Sequence, residues 1–144
     1  MKNFLLSILL IPLFSFSQGS SLGVSKSLIV KDVMSDDRLV YDKSYNNFSE
    51  SYVRAVTLDN QIVMLYEISS NKVIKESLIY YNTSKETWAR ISIGLEDEDG
   101  WLRHSIKNEG GNYATRFNKG NKKIFLANSP DDKVLGIITT MGNY

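Results

Sequence analysis

The 144-residue chain has no cysteine, one histidine and two prolines. Without cysteine it can form no disulfide, no thiolate zinc site, no thiol nucleophile and no lipid-modified cysteine, so an apolar core must hold it together. One histidine rules out a multi-histidine metal site and makes any histidine-based catalysis depend on His104. Of the prolines, Pro12 falls in the leader described below and Pro130 near the C-terminus. No Pro-rich or Gly/Ser-rich linker and no internal sequence repeat divides the chain, which reads as one domain. There is no phosphate loop, dinucleotide fingerprint, nucleophile elbow or zinc-binding motif. Charge of either sign is not in excess: 17 basic against 16 acidic residues leave a net charge of +1, so no global field favours nucleic acid.

What is present begins with a leader. Lys2 is followed by an apolar run from Phe4 to Ile11, then Pro12 and the small pair Ser15 and Ser17. This is the pattern of a secretory signal peptide over residues 1–17, and the run is too short to span a bilayer. The expectation is an exported protein, secreted or periplasmic, whose mature chain starts at Gln18 and has no transmembrane segment. Residues 18–26, rich in Gly and Ser, read as a flexible lead-in, and 27–144 as a single β domain.

From Ser27 onward, runs rich in Val, Ile, Thr, Tyr and Phe alternate with clusters of Asn, Asp, Gly, Ser and Lys. That composition predicts an all-β fold of eight to ten short strands. The candidate strands are 28–33, 38–41, 51–58, 61–69, 73–81, 87–95, 101–107, 113–118, 122–127 and 134–141. Asp59-Asn60 joins two of them as a tight hairpin, Gly120 serves a second turn, and Glu96–Gly100 a third. Period-2 alternation puts Ile62, Met64, Tyr66 and Ile68 on one core face, and Ala89, Ile91, Ile93 and Leu95 on another. Ile74, Leu78 and Tyr81 also fit helical spacing, but the β-branched and aromatic content of 73–81 favours a strand. Consecutive hairpins make an antiparallel meander, closed as an up-and-down barrel or folded as a two-sheet sandwich.

Candidate chemistry is thin. His104 shares a strand face with Leu102 and Ile106, which suits a core or rim histidine better than a general base, while Ser105 points the opposite way. Glu96, Asp97, Glu98 and Asp99 crowd one turn; Glu96, Asp97 and Asp99 are the candidate calcium ligands, although their spacing is not that of an EF-hand. Arg116 and Lys119, with Lys122 and Lys123, make a basic hairpin tip beside Tyr113, Phe117 and Phe125, able to hold an anionic group. Trp88 alternates with Arg90, and Trp101 with Arg103, which predicts two tryptophans on one polar outer face as a binding platform. These residues favour a non-enzymatic binding or interaction module for a glycan, small ligand or protein. An inhibitor or immunity-type partner protein is the second reading. A hydrolase using Asp97, Asp99 and His104 is the third. No cofactor is expected beyond calcium.

Overall fold

The computed structural model describes residues 21–48, 50–97, 100–109, 112–129 and 133–141. The leader lies outside the described residues, as do Glu98 and Asp99. The elements in chain order are α1 (Lys26–Ser35), β1 (Leu39–Tyr41), α2 (Lys43–Phe48), β2 (Tyr52–Thr57), β3 (Ile62–Ser69), β4 (Lys72–Tyr80), α3 (Lys85–Asp97), β5 (Leu102–Glu109), β6 (Asn112–Lys119), β7 (Lys122–Ser129) and β8 (Val134–Met141). The fold is mostly antiparallel β, as the composition predicts.

The strands form one sheet in the order β1-β2-β3-β4-β8-β7-β6-β5. Every neighbouring pair is antiparallel. Each half contributes four strands after a leading helix, with α2 inserted between β1 and β2 in the first half, and the halves join where β4 pairs β8. β1 and β5 are opposite edges, so the sheet is open and not a barrel.

Local chemistry explains the turns. Asn60 has φ 57° in the β2–β3 hairpin, with the Asp59 carboxylate accepting from the Thr57 hydroxyl at 2.6 Å and the Gln61 N–H at 3.0 Å. Ser70 and Asn71 both take positive φ between β3 and β4, the two-residue turn whose twist suits a hairpin. Segment 73–81 is accordingly strand, not helix.

Two expected strands are helices. Residues 28–33 lie in α1, which buries Ile29 and Val33, four apart on one helical face. Residues 87–95 lie in α3, where Ile91, Ser92 and Leu95 are buried but Ile93 is 55% exposed. The period-2 face is therefore not a face; the buried set sits at helical spacing with Trp88. Ser84 supports the start of α3, its hydroxyl accepting from the Thr87 N–H at 3.3 Å. With α3 in place, Glu96 and Asp97 end a helix and do not sit in a hairpin turn.

Both long helices cover the same face of the sheet. α1 packs Ile29 and Val33 against Val53, Ala55, Tyr66, Ile68 and Val73. α3 packs Ile91 and Leu95 against Phe117, Ile124, Leu126, Leu135, Ile137 and Leu78. The described part of the expected flexible lead-in is fixed too. Gly23 donates to Val73 O at 2.8 Å and Val73 donates to Val24 O at 2.9 Å, while the Ser21 N–H reaches the Glu76 carboxylate at 3.0 Å. Backbone donors at this end of β4 are thereby satisfied.

Candidate functional site

Trp88 and Trp101 form no outer platform. Trp101 is 8% exposed within the α3-side core, and Trp88 packs against the same cluster. The polar alternation around Trp101 is genuine, but the face it defines is the one that α3 covers. The Lys119 and Lys122 ammonium groups lie over the Trp101 ring at 5.7 and 5.8 Å, so part of the basic hairpin tip is packed against the core. Arg103 pairs with Glu96 at the end of α3, and Arg90 is exposed on that helix. Among the described residues no cluster of three or more His, Asp or Glu is placed to hold a metal ion. Glu96 and Asp97 are both exposed there, and Asp99 lies outside the described residues.

The other face of the sheet holds the candidate site. Neither cluster of buried residues includes a side chain from it, although Val63, Ser77 and Thr140 on this face are buried and α2 packs against its Arg54 end. Strand register arranges this face in rows that run across the sheet. The upper row is Val40, Val56, Val63, Ile79, Gly136, Ala127 and Ala114. The middle row is Arg54, Leu65, Ser77, Ile138, Phe125, Arg116 and His104. The lower row is Tyr52, Glu67, Lys75, Thr140, Lys123, Asn118 and Leu102. Of the core and rim positions expected for His104, the structure places it at the rim: it is exposed on an edge strand, opposite Arg116, beside a Leu102 that is 66% exposed.

The centre of this face is apolar, with Leu65, Ile79, Ile138 and Phe125 half-buried and Val63 and Ser77 buried beside them. Cations bound it on three sides, with Arg54 at one end, Lys75 and Lys123 below, and Arg116 at the other end. Five strand steps separate Arg54 from Arg116, about 24 Å at the usual interstrand spacing. Arg54 is fixed by an ion pair with Asp42 and stacks on Tyr45 at 5.6 Å. The Tyr45 N–H, the Ser44 hydroxyl and Arg54 together hold the Asp42 carboxyl below its ordinary range. Lys75 pairs with Glu67. Arg116 Nε and Asn118 Oδ1, neighbours on β6, have no hydrogen-bond partner among the described residues. A shallow hollow of about 480 Å³ opens at the β1 end, between Val40, Arg54 and Val56 on the strands and Asp42 and Ser44 where α2 begins.

Sequence reasoning found Arg116 but missed Arg54, Leu65, Ile79, Phe125 and Ile138 as members of a site. One signal was available. β3 reads Ile-Val-Met-Leu-Tyr-Glu-Ile, apolar on both faces, and a strand that is apolar on both faces normally has both covered.

On the helix side, one buried carboxyl stands out. Burial raises Glu76 above its ordinary pKa, against the Ser21 N–H and Lys122, which favour its charged form. Burial likewise pushes Tyr80 up to about 12, helped by Glu76. The carboxyl contacts the described N-terminal segment and opens onto no described cavity, so it belongs to the core. No helix among the described residues is long and apolar enough to cross a membrane. No protein-family model matches this chain, and neither a curated protein nor a solved structure is similar to it.

Proposed function

We propose that the protein is an exported, non-enzymatic interaction module that binds a protein partner on the open face of its sheet. Export rests on the leader, with Lys2 ahead of the Phe4–Ile11 run and Ser15 and Ser17 at its end. The binding reading rests on one observation: Leu65, Ile79, Ile138 and Phe125 form a half-buried apolar centre between Arg54 and Arg116, and no described helix lies over it. An apolar centre with a charged rim is the layout of protein interfaces, in which central side chains carry most of the affinity and the rim excludes water. A stoichiometric inhibitor or immunity-type complex is one form of this reading. With both tryptophans in the core, nothing comparable supports a glycan platform.

Site-specific photo-crosslinking tests the proposal. A benzophenone side chain replaces Phe125 in one variant and exposed Lys31 of α1 in another, each used in the producing cell's extracytoplasmic fraction. The expected result is one discrete protein adduct at position 125 and none at 31. Adducts at 31 alone, or the same adducts at both positions, would overturn it.

A further inference from the structure

The described N-terminal residues are held differently from every strand of the sheet. We propose that residues 21–25 are a strap that closes over the Glu76 carboxyl while it is protonated and opens when it ionises, a pH-sensitive latch at the seam between the two halves. Glu76 is on the helix-covered face, so the latch and the docking surface stand or fall separately.

The strap fills a place in the sheet that β8 leaves empty. β8 pairs β4 from Lys75 to Tyr80. Before Lys75, with β3 on the other side of β4, the Gly23 N–H donates to Val73 O at 2.8 Å, the Val73 N–H to Val24 O at 2.9 Å and the Lys26 N–H to Asn71 O at 3.0 Å. Leu22 and Val24, both half-buried, rest on the α1-side core cluster. At the start of the strap the Ser21 N–H donates to the Glu76 carboxylate at 3.0 Å. These few bonds and two side chains are all that must be released to lift it, so it opens locally without unfolding the sheet.

Glu76 is placed to control that opening. Its cross-strand neighbours are Tyr66 on β3 and Thr139 on β8. Tyr66 belongs to the α1-side cluster and Leu78, two residues along β4, to the α3-side cluster, which puts the carboxyl at the seam. The groups around it are Ser21 in the strap, Tyr66, Tyr80 on β4 and Lys122 on β7, while Asp32 of α1 acts on Tyr66. Lys122 is the one cation among them, and its ammonium also lies over the Trp101 ring. Burial outweighs Ser21 and Lys122 and raises the carboxyl above its ordinary 4.5. The closed strap therefore favours the protonated form, and by linkage protonation favours the closed strap. Closure is tightest below the ordinary value and weakens as pH rises through the raised one, because lifting the strap lets water reach the carboxylate.

Amide hydrogen exchange of the isotope-labelled exported protein, corrected for intrinsic rates, reads the latch. Gly23 and Val73, whose N–H groups make the strap bonds, should exchange faster than the amides that pair β6 with β7 at every pH, because the strap opens on its own. Their protection should fall at least about threefold between about pH 4.5 and about pH 8. Glu76→Gln, whose amide oxygen still accepts from Ser21 but carries no charge, should keep that protection level across the range, with circular dichroism confirming the fold. Strap amides as protected as the β6–β7 pairs would overturn the proposal, since the strap would then leave only when the whole fold does. Protection in the parent that is flat or rises with pH would overturn the control by Glu76, and the same fall in Glu76→Gln would assign the titration to another group.

Discussion

Phe117 and Phe125 are cross-strand neighbours of the β6–β7 hairpin on opposite faces of the sheet, and truncating each one measures how well that face is covered. Phe117 is fully buried, packed with Ile124, Leu126 and the α3 side chains Ile91 and Leu95. Phe117→Ala removes a ring from a close-packed region and leaves a cavity, which costs about 3–5 kcal/mol. Phe125 lies half-buried on the open face, against Ile138 and Arg116, with nothing above it among the described residues. Phe125→Ala forfeits about two-thirds or more of the burial of one ring but leaves no enclosed cavity, about 1–1.5 kcal/mol. Urea unfolding followed by tryptophan emission reads both, since Trp88 and Trp101 belong to the α3-side core. With a slope of about 1.5 kcal/mol per molar, the first midpoint falls by about 2–3 M and the second by about 1 M or less. Equal losses, or a larger one for Phe125, would mean that the face carrying Phe125 is covered and not open, and would refute both the site and the function built on it.

Burial of both indoles predicts weak iodide quenching of the native protein, with a Stern–Volmer slope well below that of the urea-unfolded chain; equal slopes would contradict the placement of Trp101. Glu76 supplies a test in pH. Its native pKa is raised above the ordinary value of 4.5, so in that range the folded state holds the proton more tightly and ionisation erodes stability as pH rises. Glu76→Gln should therefore be more stable than the parent at about pH 7 and equal to it near about pH 3.5 in parallel urea titrations; the opposite order would refute the burial argument. Gly100 has φ +87° beside Trp101, and a Cβ there would stand 3.3 Å from Lys119 Cε. Gly100→Ala should cost about 1–2 kcal/mol by thermal unfolding, chiefly from the left-handed backbone, and a neutral result would show that this turn takes another conformation.

Local patterns in the sequence determined the strands and their hairpins. Asp59-Asn60, Gly120 and the alternation through Ile62, Met64, Tyr66 and Ile68 act within a few residues, where turn chemistry and period-2 patterning are decided. The two long helices escaped that reading for a local reason as well. In α3, Ala89, Ile91, Ile93 and Leu95 satisfy a strand's alternation while Trp88, Ile91, Ser92 and Leu95 satisfy a helix's stripe, and only packing against Phe117 and Leu126 separates the two. α1 is ambiguous in the same way, and its Ile29 and Val33 find their partners in Val53, Ala55 and Val73, more than twenty residues away from Ile29.

The candidate site belongs to the tertiary structure. Alternation gives each strand two faces but cannot say which one a helix will cover. That depends on α1 and α3 landing on the same side and on β4 pairing with β8, a contact between residues about sixty positions apart. The sequence by itself determined the β-rich chain and its hairpins. Tertiary structure alone decided that the tryptophans lie inside, that the sheet stays open, and that Arg54 and Arg116 flank an apolar face that no described helix lies over, because each of these follows from burial between segments that no local pattern connects.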